Sequence, residues 1–585
     1  MSSNITPRIG ALLIALLIVG FVGGYYLDPA PESGFDPDAG YQDGYDEGYG
    51  VGYEEGSGLV PPDTDGDGIP DAVDQCPDEA GDPAFGGCPV PLRDTIRMGT
   101  TDQVEVSLDT AEAYDYFGVN VLLNIGEGLY AIEPETGNVI PALAADMPVI
   151  SGDGLEYTID LRQDATFQDG TPFTASAVKF SIDRTISLEL DPSWLLEMVE
   201  SVEVTGTHQV KITLSYPATF FTSILSLWVT YPVNPNTTPA DEALAYPDIP
   251  DTIGPYILTE WLRFEYWIFE ANPEYYGTPP KTSRIVVRHF EDATTLRLAV
   301  EVGEIDLAFR TITPTDIEDL KDDPDLSVLE GVGAVVRYLV INPNIQPFGD
   351  KLVRQALAAA VDRSRIVDLV FLGTLAGELY SQVPMGMPGH TDSFKDKYGE
   401  GPDLDTARQL LDQAGFSETN KLTFDLWYTP VRYGETEPFV AQILKEDLEA
   451  TGMISITLQS AEWSTMGDLR RAGSMPVYLL GWYPDFVDPD NYIHPFFHSS
   501  QEWLWGGPGY SNPEMDDLII QERAEADPVA RAAILAAIQV IMAEDAPIIP
   551  LWQTNQVAVT QLGVEGVVLD ISQYFRYWLI WAPER

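Results

Sequence analysis

The hydrophobic pattern from about residue 92 to residue 585 alternates between strand spacing and helix spacing. Apolar and polar residues alternate in 155–161, 210–214 and 422–428. This period of two residues is typical of a half-buried strand. These strands are interspersed with segments of helical spacing. Strands and helices mixed over a length that exceeds one hydrophobic core predict an α/β protein of two lobes.

Two segments place apolar residues three and four positions apart, as an amphipathic helix does. The first is 350–373, for which Asp350 is the expected N-cap and Gly373 the expected stop. The second is 436–452. Two further helices are predicted from a capping side chain followed by proline, at Asn512-Pro513 and Asp527-Pro528.

An uncharged apolar segment, residues 9–27, lies near the amino terminus and is just long enough to span a bilayer. Arg8 precedes it, and no Lys or Arg follows until Arg93, so the positive-inside rule places residues 1–8 in the cytoplasm and the remainder outside. A cleaved signal peptide is the alternative. We expect an uncleaved anchor, and therefore a single-pass protein of the cell membrane with its bulk extracellular or periplasmic.

The chain is strongly acidic, with 92 acidic residues against 31 basic residues and a formal net charge of −61. Such a surface repels nucleic acid and anionic lipid headgroups, which excludes both as partners. Residues 28–60 carry Gly and Tyr at a period of four among acids. Because repeated glycine disfavours a helix, we interpret them as a flexible acidic linker. A helical association stripe of tyrosines is the alternative.

The segment "DTDGDGIPDAVDQCP", within residues 61–91, has the acid spacing that Ca²⁺ ligation requires. It resembles a thrombospondin type 3 calcium repeat, which implies a structural Ca²⁺ in a short stalk. The expected ligands are Asp63, Asp65, Asp67, Asp71 and Asp74. Cys76 and Cys88 are the only cysteines of the chain, and we expect them to form one disulfide in an oxidising compartment. Two free thiols are the alternative.

Several blocks of the chain, in order, resemble the extracellular solute-binding proteins of the peptide/nickel class (family 5), which serve ATP-binding-cassette importers. They are "LEYTIDLRQDATFQDGTPFTASAVKFSIDRT", "TIGPYILTEWLRFEYWIFEANPEYYG", "LRLAVEVGEIDLAF" and "INPNIQPFGDKLVRQALAAAVDR". The resemblance implies a periplasmic-binding-protein-like fold (type II) of two α/β lobes that close on a ligand by hinge motion. By analogy, lobe I is 92–338 with 546–585, and lobe II is 339–545.

The same resemblance implies a ligand site and partners. In peptide-binding members, the Asp of a G-W-x-x-D block binds the α-ammonium group of the ligand, and here this residue is Asp485, preceded by Trp482 and Tyr483. Arg432 stands where dipeptide-binding members carry the Arg that binds the ligand carboxylate. The expected partners are a short peptide and the permease and ATPase subunits of an importer, and the expected state is a monomer. The tryptophans considered as further cleft residues are Trp503 and Trp505, whereas Trp463 is expected in the core.

No nucleophile elbow, phosphate-cradling glycine loop or catalytic cysteine motif occurs, so an enzyme is not expected. Two alternatives to peptide capture stay open. One is the same fold binding an oligosaccharide or a nickel chelate. The other is a surface sensor or adhesion protein without a transport role.

Overall fold

The computed structural model describes residues 92–134, 136–430, 432–501 and 509–584. The predicted linker at 28–60 and the predicted calcium repeat at 61–91 lie outside the described residues. The same holds for the five aspartates of that repeat, for its two cysteines, and for Trp503 and Trp505.

The predicted location as a single-pass protein of the cell membrane has to be corrected. In the described part of the chain, no helix is both long enough and apolar enough to cross a bilayer. Residues 9–27, on which that prediction depended, lie outside the described residues.

The strands of the described residues are short in most places, and two of them are long. They are β1 (Thr95–Thr100), β2 (Tyr130–Ile132), β3 (Val139–Pro141), β4 (Val149–Ile150), β5 (Glu156–Asp160), β6 (Val199–Gly206), β7 (Gln209–Leu214), β8 (Tyr256–Leu262), β9 (Tyr266–Ala271), β10 (Arg284–His289), β11 (Leu307–Phe309), β12 (Leu326–Ile341), β13 (Ala376–Glu378), β14 (Leu422–Tyr428), β15 (Ile454–Ser460), β16 (Val477–Trp482) and β17 (Ile548–Gln561).

Within the described residues, one sheet of eleven strands carries the architecture. Its order is β15-β14-β16-β12-β17-β11-β1-β10-β9-β8, and β13 pairs with β17 beside this path. The two long strands, β12 and β17, are antiparallel neighbours near its middle. A separate antiparallel sheet has the order β4-β5-β7-β6, and β2 pairs with β3.

The helices pack around these sheets. They are α1 (Tyr116–Ile125), α2 (Ala175–Leu188), α3 (Phe221–Ile224), α4 (Ala293–Glu301), α5 (Pro314–Leu320), α6 (Lys351–Ala360), α7 (Arg363–Val370), α8 (Ser393–Tyr398), α9 (Leu404–Gln413), α10 (Glu437–Glu449), α11 (Trp463–Arg471), α12 (His494–Phe497), α13 (Pro513–Ala524) and α14 (Pro528–Asp545). Short 3₁₀ turns occur at Asp191–Leu196, Trp228–Thr230, Pro489–Tyr492, Ser499–Gln501 and Tyr577–Leu579.

The expected helix over 350–373 is instead two helices, α6 and α7. Val361 is extended, with ψ 132°, and the Asp362 side chain accepts the backbone N–H of Arg365 as a new N-cap. The apolar helical pattern is therefore interrupted at Asp362. Its side chain can cap the first turn of a second helix by accepting a backbone N–H that has no partner within that helix. The two starts predicted from cap-proline pairs are confirmed, since Asn512 and Asp527 accept backbone N–H groups at the beginnings of α13 and α14.

Two lobes lie on either side of the long strands. Lobe I contains β1–β11 with their helices and the residues after β17, and lobe II contains the elements between β12 and β17. One hydrophobic core runs from Ile96 to Phe309 and is completed by C-terminal residues up to Ala582. The other core runs from Leu296 to Val559. The residue boundaries proposed for the lobes remain a prediction.

A buried ion pair ties β12 to lobe II. The Arg337 guanidinium contacts the Glu437 carboxylate at 2.5 Å, and their side chains are only 3% and 1% exposed. Arg337 also donates to the carbonyl of Leu480 on β16 and lies over the ring of Tyr433, 3.7 Å from its centroid. Burial raises the pKa of Glu437, and the positive charge of Arg337 offsets part of that rise.

We expect Glu437→Gln to lower the free energy of unfolding by about 3 kcal/mol, because it leaves the buried Arg337 charge unpaired. Urea unfolding followed by circular dichroism measures the change. The control is Asp468→Asn, which breaks an exposed pair with Arg471 and should change the free energy by less than about 0.5 kcal/mol. Equal effects of the two substitutions would contradict this role for the buried pair.

Candidate functional site

The buried strand β16 carries Asp485 to its position, because the chain leaves the sheet directly after Trp482. Gly481 pairs with Arg337 on β12, and a Cβ at Gly481 would lie 2.7 Å from the Arg337 side chain. The glycine of the G-W-x-x-D block therefore gives the buried arginine room to pass beneath β16. This explains in physical terms why glycine stands at that point of the motif.

Asn491 fixes the turn that follows. Its Oδ1 accepts the indole N–H of Trp482 at 2.8 Å and the backbone N–H of Asp485 at 3.0 Å. Its Nδ2 donates to Asp485 Oδ2 at 3.1 Å. A fully buried amide side chain thus satisfies three groups of the turn and sets the direction of the carboxylate.

Lobe I supplies the other side of the Asp485 environment. The Tyr114 hydroxyl donates to Asp485 Oδ2 at 3.3 Å and accepts the indole N–H of Trp194 at 3.1 Å. The Tyr574 hydroxyl donates to the backbone carbonyl of Asp485 at 3.3 Å. The sequence did not single out these aromatic residues, which come from distant parts of the chain and carry no motif of their own.

Asp485 faces a cavity of about 110 Å³ between the lobes. The side chain keeps some exposed surface on the cavity, but protein encloses it and its loss of water contacts raises its pKa to about 7. Hydrogen bonds from Asn491 and Tyr114 offset part of that rise. Among the described residues, none forms an ion pair with Asp485. The result is a carboxylate that faces the cavity and has no counter-ion among the residues that the structure describes.

A second acid of the same cavity is Asp115. Its side chain caps α1 by accepting the backbone N–H of Gly118 at 2.8 Å, and burial raises its pKa to about 7. Asp115 takes part in no ion pair within the described chain. The cavity therefore holds two carboxylates whose charge is not compensated by a salt bridge.

Arg432 lines the same cavity as Asp485, so the fold brings together the two residues that were predicted to bind the two ends of a ligand. The Arg432 guanidinium lies over the indole of Trp463, 4.8 Å from the ring centroid, and forms an ion pair with Glu105 of lobe I. Trp463 is half-buried against this cavity as well as packed on the core. Arg432 is thus engaged by an acidic side chain of the protein itself.

The two aromatic residues before Asp485 have different environments. Trp482 is buried and meets Phe496 edge to face, with ring centroids 5.1 Å apart, and part of it reaches the cavity wall. Tyr483 stacks on Tyr433 at a centroid distance of 6.3 Å. Tyr483 also lies on the wall of a larger cavity next to the first one.

The larger cavity has a volume of about 630 Å³ and shares Tyr433, Tyr483 and Gln573 with the smaller one. Its wall is mostly apolar and comes from both lobes. The apolar residues of lobe II around it include Leu369, Phe371, Leu375, Phe439 and Ile443. The two cavities adjoin each other, so a ligand held in the smaller one has space beyond Tyr483.

Arg310 lines the larger cavity and contacts Tyr116 and Tyr483 of the smaller one. It follows β11 in a left-handed conformation with φ 63°, and Thr311 after it has φ 66°. The guanidinium is 4.0 Å from the Tyr116 ring centroid, donates to the Tyr483 hydroxyl at 2.9 Å, and pairs with Asp102 at 3.0 Å. Two successive non-glycine residues at positive φ are strained, and surrounding contacts have to hold them.

The lobes also touch beside the cavities. Phe486 of lobe II stacks on Phe220 of lobe I, with centroids 5.2 Å apart and rings 15° from parallel. The Arg523 guanidinium contacts the Glu197 carboxylate at 3.2 Å, again from one lobe to the other. These contacts describe a structure in which the lobes are closed over the Asp485 cavity.

Comparison with known proteins points to one family. Residues 138–503, more than half of the chain, match the family described as bacterial extracellular solute-binding proteins, family 5 middle. The chain is 28% identical over 429 residues to a probable D,D-dipeptide-binding periplasmic protein of Escherichia coli (strain K12), covering 72% of this chain and 80% of that protein. It is 29% identical over 448 residues to di/tripeptide-binding protein 2 of Pseudomonas aeruginosa, covering 72% of this chain and 82% of that protein.

The fold has solved counterparts. A periplasmic binding protein of Helicobacter pylori, associated with an ABC transporter and solved in complex with the peptide STSA, superposes with a TM-score of 0.74 at 23% identity. The match covers 84% of this chain and 99% of the Helicobacter chain. This likeness shows that the α/β two-lobed fold is of the periplasmic-binding-protein type, as the sequence predicted.

We expect Asp485→Asn to stabilise the ligand-free protein at pH 8. The pKa of Asp485 is about 7 in the folded state and near 3.8 when unfolded, so the folded state binds more protons between these values. Stability from this group is therefore present below pH 4 and is lost as pH rises towards 7. Asparagine avoids this loss. Thermal unfolding at pH 4 and pH 8 measures the difference, which should be seen only at pH 8.

The control is Asp322→Asn, in an exposed loop position between α5 and β12, which should leave the unfolding temperature unchanged at both pH values. Destabilisation at pH 8 by Asp485→Asn would mean that the carboxylate supports the fold. It would contradict the expectation that the ionised carboxylate is unfavourable in the ligand-free protein.

Proposed function

Because the chain belongs to family 5 of the bacterial extracellular solute-binding proteins, we propose that it captures short peptides outside the cytoplasm and delivers them to the permease and ATPase subunits of an ABC importer. Proteins of this family bind solutes and are not enzymes. The names of the relatives, a dipeptide-binding and a di/tripeptide-binding protein, support a peptide as the ligand.

The observation that carries the proposal is the carboxylate of Asp485, which protein encloses on all sides except the cavity. An ionised carboxylate enclosed by protein is costly unless a cation meets it, and no cation of the described residues does. The α-ammonium group of a peptide has the charge and hydrogen-bond donors to fill that role. The neighbouring aromatic residues exclude water, which strengthens such a bond.

The size and place of the cavities agree with a peptide that begins at Asp485. The smaller cavity accommodates the ammonium end, and the larger cavity of about 630 Å³ is within the usual range of ligand pockets. Its mostly apolar wall suits side chains of varied shape. Closure of the lobes around the ligand then presents the loaded protein to its importer.

We expect saturable binding of free di- to hexapeptides in calorimetric titrations of the full chain. N-acetylation of the peptide removes the ammonium charge and should weaken binding at least about 100-fold, because it leaves the carboxylate buried and unpaired. Asp485→Asn should have a similar effect. The control variant is again Asp322→Asn, with unchanged affinity.

Binding should also depend on pH. The pKa of Asp485 is about 7 without ligand, so protonation competes with the ligand and the affinity should fall as pH drops from 7 to 5. Asp485→Asn should reduce that dependence, and the part that remains would come from Asp115, whose pKa is also about 7 in the same cavity. Failure of all free peptides to bind a folded protein would overturn the peptide assignment and would direct the search to oligosaccharides and metal chelates.

The acidic repeat at 61–91 supports a second, structural component of the proposal. Its sequence favours binding of one Ca²⁺ by Asp63, Asp65, Asp67, Asp71 and Asp74, next to a disulfide between Cys76 and Cys88. Calcium and a disulfide would stiffen a segment that is too short to build a hydrophobic core.

We expect the full chain to lose one bound Ca²⁺ when Asp65 and Asp67 are replaced together by Asn. Equilibrium dialysis with metal analysis measures the stoichiometry. The matched control replaces Asp43 and Asp46, two acids of the preceding linker, by Asn. It should leave the number of bound Ca²⁺ ions unchanged. Equal losses in the two variants would indicate only nonspecific attraction to an acidic segment.

A further inference from the structure

The arginines nearest to the ligand cavities are already paired with acids of lobe I. Arg432 forms its ion pair with Glu105, and Arg310 forms one with Asp102. Each pair joins a side chain near the cavity wall to the loop between β1 and α1. The positive charge available to a ligand carboxylate is therefore neutralised by the protein itself.

The Glu105–Arg432 pair is held in place from both sides. The Glu105 carbonyl accepts a hydrogen bond from Arg263 Nη2 at 2.5 Å, and its backbone N–H donates to Asp115 Oδ2 at 3.4 Å. On the other side, Trp463 supports the Arg432 guanidinium through its ring face. The backbone contacts hold Glu105 in place, and the Trp463 ring holds the Arg432 guanidinium. The two side chains are therefore positioned to form their ion pair.

The remaining charge of the smaller cavity is acidic. Asp485 and Asp115 both line it, and neither is in an ion pair with a described residue. A ligand carboxylate that reached Arg432 would have to displace Glu105, which would then lose its cation next to a cavity that two other acids, Asp115 and Asp485, already line. The like charges of these three acids oppose that exchange.

We propose that Glu105 is a specificity-determining residue: it occupies Arg432, so that the site recognises the ammonium end of its ligand and does not require a carboxylate at the other end. This inference rests on the proposed function and narrows its ligand class. The preferred ligands carry net positive charge, such as peptides with an amidated or otherwise blocked C-terminus. It replaces the prediction, drawn from the family resemblance, that Arg432 binds the carboxylate of the ligand.

The test compares one tripeptide, Ala-Leu-Ala, in three forms: free, C-terminally amidated and N-acetylated. Calorimetric titration of the full wild-type chain near pH 7 should give an amide that binds as tightly as the free peptide or more tightly. The N-acetylated form should bind at least about 100-fold more weakly. Glu105→Gln releases the charge of Arg432, and should shift the affinity ratio at least tenfold in favour of the free carboxylate.

The matched control is Glu304→Gln, which removes the acid of an exposed pair with Arg288 in the same lobe and should leave the ratio as in the wild type. Circular dichroism confirms that each variant is folded. The wild-type comparison needs no substitution, so a tenfold loss on amidation overturns the proposal even if Glu105→Gln does not fold.

The outcomes separate the two proposals. A wild-type protein that binds the free peptide but loses tenfold or more on amidation overturns the role of Glu105 and leaves peptide capture intact. A folded Glu105→Gln variant whose ratio equals that of the wild type also overturns it. Absence of binding by all three forms overturns peptide capture, and this inference with it.

Discussion

The pairing of β12 with β17 is the constraint on which the rest of this structure depends. The two strands run antiparallel from Leu326 opposite Gln561 to Val340 opposite Ile548. β16 of lobe II attaches to β12 and β11 of lobe I attaches to β17, and the short β13 of lobe II also pairs with β17. Any change in the angle between the lobes has to be absorbed within this pair. The register shifts between Gly331 and Val335, where a Cβ on Gly333 would come within 2.0 Å of the Thr554 carbonyl oxygen. Regular pairing is already interrupted there, which makes bending less costly than in a continuous ladder.

The same strand positions the site. Arg337 on β12 anchors β16 and α10 through buried contacts, and β16 then leads into the turn that carries Asp485. Stability and binding make opposite demands on this turn. The fold would be more stable with a neutral group at Asp485, whereas a ligand with an ammonium group needs the charge. A binding protein tolerates this loss of stability, because ligand binding to the folded protein stabilises it.

Ion pairs beside the cleft set the electrostatics of the cavity. In the loop after β1, Glu105 pairs with Arg432 of lobe II, and Asp102 pairs with Arg310 of lobe I. The acids on the cavity wall keep their charge uncompensated. Two proteins with the same motif residues can therefore select different ligands, depending on whether a neighbouring loop engages the arginine. The sequence motif identifies the residues of the site, and the ion pair of the arginine with a neighbouring acid decides which ligand groups they can bind.

The sequence alone was sufficient for the elements and for part of the site. Strand and helix periods follow from which side chains are buried, so β5, β7 and β14 lie where the alternation predicts them, and α13 and α14 begin at their predicted caps. The break between α6 and α7 was missed because Asp362 acts as a cap only when the second helix turns to pack elsewhere. The sequence blocks shared with the family located Asp485 and Arg432. They did not single out Tyr114, Tyr574 or Arg310, because these residues take part only through contacts that the folded chain creates.

The sequence by itself thus determined the fold class, the family resemblance and two of the residues that line the cavity, Asp485 and Arg432, because short contiguous segments mark each of them. Only the tertiary structure decided their electrostatic state. Glu105 lies 327 positions from Arg432, and only the folded chain brings them together. The enclosure that raises the pKa of Asp485 likewise comes from lobe I, lobe II and the C-terminal segment acting together. Burial and partner charge are properties of an assembled environment, so no single stretch of sequence can carry them.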